Sequence, residues 1–251
     1  MIPASGNLTP DELREAVASG EIDTVIVAFT DMQGRLVGKR IPARRFLEDA
    51  MDHGAECCNY LLAVDVELNT VDGYAITSWE SGYGDMAMLP DLSTLRRTPW
   101  LPGTALVIAD LRLAGDHSPI SVSPREILKT QVNRLAAPDL VPHVATELEF
   151  LVFDEDYRSA WKSKYQDLTP ASDYNTDYSL HASTRLEPLL RDIRNSMDAA
   201  GMYCEGVKGE CNLGQHEIGF RYAEARESCD NHTIYKNGAK EIADAHGKAL
   251  T

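Results

Sequence analysis

Two hydrophobic periods alternate along the chain, and each change of period marks a change of element. Thr9-Pro10-Asp11-Glu12 opens a helix: Thr9 is an N-cap, Pro10 takes the first helical position, and Glu12 can close a capping box. Leu13 and Val17 share its apolar face, and Gly20 stops it. From Thr24 to Thr30 the period falls to two, with Val25, Val27 and Phe29 alternating against Ile26 and Ala28. Asp31-Met32-Gln33-Gly34 has turn chemistry, and Arg35 to Ile41 returns as the second strand of a hairpin. A short helix is expected over 43–53, stopping near Gly54. Residues 59–67 read as mixed strand or loop, and Thr104 to Leu111 as a buried strand. The stretch 8–113 is thus a small mixed α+β domain.

Ala114-Gly115-Asp116-His117-Ser118-Pro119 has linker composition. Beyond it Ser123-Pro124-Arg125-Glu126 opens a capped helix that runs to about Ala136, and Val144 to Phe153 is the strongest strand pattern in the chain. Residues 155–187 are polar and aromatic, with Trp161, Tyr165, Tyr174 and Tyr178, and read as a long functional loop. A helix over Pro188 to Ala200 stops at Gly201, one or two strands lie within 203–224, and a last helix over Glu227 to His246 stops at Gly247. The pattern predicts an α+β chain with domains at 1–115 and 116–251. A new apolar segment begins just before Thr251, so the second domain is expected to be incomplete.

Hydrophobic residues make up 43% of the 251, enough for ordinary cores. The net charge of −15 repels nucleic acid and anionic lipid, so neither is an expected partner, and it obliges any anionic substrate to find local cations. Met1 to Gly6 has no basic, apolar leader pattern, and no apolar run is long enough for a bilayer. Cys57, Cys58, Cys204, Cys211 and Cys229 are odd in number and lack C-x-x-C spacing, which suits reduced thiols in a cytoplasmic protein. Gly82-Tyr83-Gly84-Asp85-Met86-Ala87 fits G-x-G-x-x-A, but Pro90 follows almost at once, so it is read as a loop and not a dinucleotide site.

The candidate chemistry lies in carboxylates. In Thr146-Glu147-Leu148-Glu149-Phe150 the two Glu would share one strand face with Ala145, Leu151 and Phe153, neighbours that favour burial. Unpaired, they would repel each other and take up protons, and a divalent cation removes that cost. Two solvated glutamates on a half-exposed strand satisfy the spacing equally well. A second group, Glu205, Glu210 and Glu217, is interleaved with Gly206, Gly209 and Gly214. After Gly214, residues Gln215, Glu217, Gly219 and Arg221 face one way, and His216, Ile218 and Phe220 the other, so His216 is expected to pack on an apolar face. Hard oxygen donors without zinc-type Cys or His pairs favour Mg²⁺ or Mn²⁺.

These motifs together resemble the glutamine synthetase family. Thr146 to Phe150, Glu205, Glu210, Gly214-Gln215-His216-Glu217 and Tyr235-Lys236 are similar to its catalytic domain. Asp31-Met32-Gln33-Gly34-Arg35, Gly38-Lys39 and Gly84-Asp85-Met86 through Leu89-Pro90-Asp91 resemble its N-terminal β-grasp domain. The resemblance covers nearly the whole chain. It implies a β-grasp-like domain followed by an incomplete catalytic α/β barrel with largely antiparallel strands. It implies that Glu149, Glu210 and Glu217 hold one metal, that Glu147 helps hold a second, and that Glu205, Arg221 and Tyr222 lie at the nucleotide. It implies ATP-dependent ligation of an amine to the γ-carboxylate of glutamate through γ-glutamyl phosphate, in a ring homo-oligomer. The family's Asn-Gly-x-Gly-x-His segment would follow Thr251, so an inert truncated or structural relative is the alternative expectation. Ammonia-using members carry Asp-Gly-Ser-Ser where this chain has Asp72-Gly73-Tyr74-Ala75. That departure, with Glu-Cys-Asn-Leu-Gly-Gln after Gly209, resembles the subgroup that joins glutamate to organic amines such as ethanolamine or polyamines. Asp72 and Asp85 are then candidates for the amine pocket, the alternative being ordinary turn aspartates.

Overall fold

The computed structural model describes residues 6–78, 80 and 82–251; Met1–Ser5, within the segment expected not to be a leader, lie outside the described residues, as do Trp79 and Ser81. Two compact units divide the chain, Asn7–Pro142 and His143–Thr251 with Gly6.

In the first unit, α1 (Pro10–Ala18) carries the expected capping box, with Thr9 and Glu12 bonded reciprocally. Strands β1 (Thr24–Thr30) and β2 (Leu36–Pro42) pair antiparallel in the register Val27 to Lys39. Asp31 makes the turn between them. Its buried carboxylate accepts from the backbone N–H groups of Gln33 and Arg35 and from Arg35 Nε at 2.7 Å. This is the Asx-type bonding that favours Asp at the head of a turn. The helix expected over 43–53 is α2 (Ala43–Arg45) and α3 (Met51–His53), joined through a π-helical turn at Phe46–Ala50. Strands β3 (Ala55–Cys58), β4 (Asp85–Pro90), β5 (Arg96–Arg97) and β6 (Thr104–Leu113) complete a mixed sheet of order β2-β1-β6-β4-β3, with β5 also on β6. Only the β1–β6 pairing among them is parallel. One face buries Val25, Val27 and Phe29 with Leu13, Phe46, Met86, Met88 and Val107. Each such side chain contributes on the order of 1.5–3 kcal/mol relative to exposure.

One expectation fails here. Residues 85–90 are a strand and not a loop: Met86 and Met88 are buried, and Pro90 sits at the strand's end. Its missing N–H costs little there. Residues 59–67, read as mixed strand or loop, hold a 3₁₀ turn at Asn59–Leu62 and an isolated bridge from Val64 to Thr70, so the loop alternative holds.

Helix α4 (Pro124–Ala136) also belongs to the first unit. Arg125, nearly fully buried, pairs with Asp110 at 2.5 Å and Asp91 at 2.7 Å, and Lys129 pairs with the other Asp110 oxygen at 2.5 Å. The spatial division thus follows α4, which these pairs tie to β6.

The second unit begins with β7 (His143–Val144) and β8 (Glu149–Phe153). The strand expected over 144–153 is therefore interrupted at Ala145–Leu148. Short helices α5 (Tyr157–Lys162) and α6 (Leu180–Ser183) punctuate the expected long loop. Then come α7 (Glu187–Ala199), β9 (Cys204–Gly209), β10 (Gln215–Phe220), β11 (Ala223–Glu224), α8 (Ala225–Ala245) and β12 (Ala249–Leu250). An all-antiparallel sheet runs β12-β8-β10-β9, and β11 pairs with β7. The buried face of α7, with Leu190, Ile193 and Met197, packs towards α8 and β9. No helix among the described residues is long and apolar enough to cross a membrane, and all five cysteines are free thiols.

Candidate metal centre

The antiparallel register builds the site. Glu217 on β10 is paired with Glu149 on β8 to one side and with Lys208 on β9 to the other. Residues directly opposite on an antiparallel sheet project to the same face. The three therefore form one lateral row: carboxylate, carboxylate, ammonium. The opposite face of β10 buries His216 and Ile218, with His216 stacked on Phe150 and its Nδ1 3.1 Å from the Gly214 carbonyl oxygen.

Glu210 joins the row because the β9–β10 turn is held tightly. Its N–H donates to the Gln215 carbonyl at 2.9 Å, closing the turn. Gly214 has φ +67, and a Cβ there would come within 2.6 Å of the Val152 oxygen; a Cβ on Gly209 would come within 2.3 Å of the Thr176 oxygen. Only glycine permits both the conformation and the close approach. One oxygen each from Glu149, Glu210 and Glu217 lie within 4.8 Å of one another. Around an octahedral divalent cation, ligand oxygens stand roughly 3 to 4 Å apart. Three carboxylates so placed, with no sulfur or nitrogen among them, fit a hard divalent cation.

Charged and polar neighbours trim these carboxylates. Gln215 donates its side-chain N–H to Glu149. Lys208 Nζ pairs with Glu210, lies 3.3 Å from Glu217, and stands 4.7 Å from the centre of the Tyr178 ring. The hydrogen bond from Lys208 holds Glu210 below the usual carboxylate range. Glu217 is pushed the other way, first by its hydrogen bond with Glu210 and then by burial, which outweigh Lys208. Two adjacent carboxylates thus cannot both ionise freely.

The other expected site residues are not among the three whose oxygens converge. Glu147 is exposed in the segment between β7 and β8, off the strand, so it does not share a ladder face with Glu149 as the spacing suggested. Glu205 lies at the irregularity of β9 facing Gly219 and Phe220, and lines an open groove of about 290 Å³ with Gly206, Val207, Lys208, Glu217 and Gly219. Arg221 N–H donates to the Tyr203 carbonyl at 3.0 Å and its guanidinium lies over that ring, while Tyr222 meets His143 edge-on. Arg221 and Tyr222 thus follow the end of β10, whereas Glu205 shares its groove with Glu217 of the trio. Asp72 and Asp85 belong to the first unit, both exposed, Asp72 in an irregular segment and Asp85 at the start of β4. Sequence reasoning gave no role to Lys208, Gln215 or Tyr178. Lys208 was recoverable: once Gly209 and His216 are paired, Lys208 must face Glu217.

Residues 121–251, just over half of the chain, match the family described as glutamine synthetase, catalytic domain. The chain belongs to the glutamine synthetase family. Within it, the chain is 57% identical over 241 residues to gamma-glutamylethanolamide synthetase GlnA4 of Streptomyces coelicolor, covering 96% of this chain and 52% of that protein. It is 32% identical over 241 residues to glutamate–isopropylamine ligase of a Pseudomonas species, again covering 96% and 52%. The solved structure described as GmaS/ADP complex, conformation 1, superimposes with a TM-score of 0.78 at 24% identity, over 95% of this chain and 50% of that one. The mixed α/β architecture is therefore a glutamine synthetase-like fold, and the chain spans about half the length of the curated relatives it matches.

Proposed function

We propose that the protein carrying this chain ligates an organic amine to the γ-carboxylate of glutamate, with ATP as co-substrate and γ-glutamyl phosphate as intermediate. The observation that carries this reading is the convergence of Glu149, Glu210 and Glu217 on one point. The names of the relatives, a gamma-glutamylethanolamide synthetase and a glutamate–isopropylamine ligase, favour an organic amine over ammonia.

In this reading Glu149, Glu210 and Glu217 hold one Mg²⁺ or Mn²⁺ and Glu147 contributes to a second. Bound there, the cations screen the repulsion between the glutamate carboxylate and the phosphates and stabilise the transferring phosphoryl group. Gln215 fixes the orientation of Glu149. Glu205, Arg221 and Tyr222 receive the nucleotide: a carboxylate suits ribose or amino hydrogens, a guanidinium suits phosphate, and an exposed ring suits a base. Asp72 and Asp85 supply negative charge that attracts a protonated amine. The sheet built on the β1–β2 hairpin with its parallel β1–β6 pair supports a β-grasp-like domain over 1–115, and the family match from residue 121 supports a catalytic domain over 116–251. A cytoplasmic ring of identical subunits completes the proposal.

The test is ADP formation by the protein with glutamate and a panel of amines, in Mg²⁺ or Mn²⁺. Ethanolamine or a similar primary amine should outperform ammonia, and Glu149→Ala should remove nearly all turnover. Full turnover in that variant would refute the metal assignment. Mn²⁺ binding without any turnover would favour a structural relative.

A further inference from the structure

The carboxylate trio already has a cation that belongs to the chain. Lys208 Nζ pairs with Glu210 and Glu217, two of the three residues whose oxygens converge. Its position is not accidental to a floppy surface side chain. The β9–β10 register sets Lys208 directly opposite Glu217, the Gly209 turn brings Glu210 round to it, and the Tyr178 ring supports the ammonium at 4.7 Å. Only 26% of the Lys208 side-chain surface is accessible, against 13% for Glu210 and 17% for Glu217, so the three share a partly dry environment where charge–charge contacts are stronger than on an open surface. The same oxygens cannot give their best lone pairs both to an ammonium and to a divalent ion.

We propose that Lys208 is a built-in competitor for the metal, so that cation entry and withdrawal of the Lys208 ammonium from Glu210 and Glu217 are a single exchange. The inference rests on the metal reading of the trio. Beside Lys208 the groove lined by Glu205, Gly206, Val207 and Gly219 is open, so the released side chain has space to swing into without disturbing the sheet. The exchange makes metal affinity weaker than the three carboxylates alone would give. It also leaves a mobile positive charge beside the trio once the metal is in place. Lys208 is accordingly a positioning residue that sets occupancy, and the chemistry of transfer lies elsewhere.

Calorimetric titration of the purified protein with Mn²⁺ alone tests this. Lys208→Met should bind Mn²⁺ about tenfold more tightly than wild type, the loss of one charge-assisted contact to the competing ammonium. Lys208→Gln serves the same purpose if the Met variant folds poorly. A second readout is acetylation of Lys208 by a small amine-reactive reagent, followed by mass spectrometry. Mn²⁺ should accelerate it several-fold in wild type, because the amine leaves its carboxylates. A purely structural ion pair would lower thermal stability on substitution yet leave Mn²⁺ affinity and acetylation unmoved, and that result overturns the exchange. If wild type binds Mn²⁺, Glu217→Gln abolishes it and Lys208→Met binds no tighter, the exchange fails while the metal reading stands. If wild type and both Lys208 variants bind no Mn²⁺, the metal reading itself fails.

Discussion

Two clusters of acidic side chains, one in each compact unit, are built from similar parts and balanced differently. At Asp91 and Asp110, two carboxylates meet three cations, Arg125, Lys129 and, at 3.9 Å, Arg112, and Arg125 is nearly fully buried. At Glu149, Glu210 and Glu217, Lys208 pairs with two of three converging carboxylates. The first cluster is complete as it stands, and its geometry fastens α4 to β6. In the second, the converging carboxylates outnumber the ammonium paired with them. Proximity of acidic groups does not by itself mark a binding site; in the metal reading proposed above, the surplus of carboxylates over paired cations sets the trio apart.

The sharpest way to break the comparison is to remove a charge from each cluster and watch the sign. Arg125→Met leaves Asp91 and Asp110 short of their buried partner, so urea unfolding should show a loss of about 3–5 kcal/mol that Mn²⁺ does not change. Glu217→Gln should act in the opposite sense. With two like charges no longer directly opposite on the sheet, the metal-free protein should gain a few tenths to about 1 kcal/mol. The same variant should lose Mn²⁺ affinity by more than about tenfold in calorimetry.

Acid sharpens the contrast further. Burial pushes the Asp91 carboxyl up, but the hydrogen bonds from Ser93 and Arg125, with the charge of Arg125, outweigh burial and hold it below its ordinary value. A group with a depressed folded-state pKa contributes stability that is complete above its unfolded value of about 3.9 and is lost as pH falls through the folded value. The urea midpoint of wild type should therefore fall over that acid window, and Asp91→Asn should flatten this part of the profile.

The smallest effect expected is at Cys211. Its thiol donates to Asp177 at 3.2 Å, and that hydrogen bond and charge push it above the ordinary thiol range. Asp177→Asn should speed its alkylation at about pH 8 several-fold, since the thiolate is the reactive form. Cys57, pushed up to about 12 by burial, should remain unmodified under the same conditions.

Much of the fold was legible because local chemistry and tertiary structure agree. Thr9 and Glu12 make their capping box, Asp31 makes its turn, and the glycines at 20, 54, 201 and 247 follow the helices they were expected to stop. Strand β4 was hidden because Gly82, Gly84 and Pro90 look like punctuation, whereas the pairing of Met86 with Leu113 and Cys57 is set by residues far along the chain. Strand β3, Ala-Glu-Cys-Cys, has no β-branched residue to announce it. In the site, the alternation after Gly214 correctly separated Glu217 from His216, yet Glu147 was placed on a strand that its own segment interrupts. Lys208 was invisible to any single-strand pattern, since its meaning comes from the partner strand.

The β9–β10 hairpin has one further consequence. Gly209 and Gly214, which flank its turn, lie so close to the Thr176 and Val152 carbonyls that neither position has room for a side chain, which helps to fix the register. Sliding β10 by a single position would rotate Glu217 inward and bring His216 and Ile218 to the outer face. The centre would then offer imidazole where it now offers a third carboxylate, and a borderline ion such as zinc would suit it better than magnesium. In the metal reading proposed above, backbone spacing would select the element as much as the identity of the ligands would.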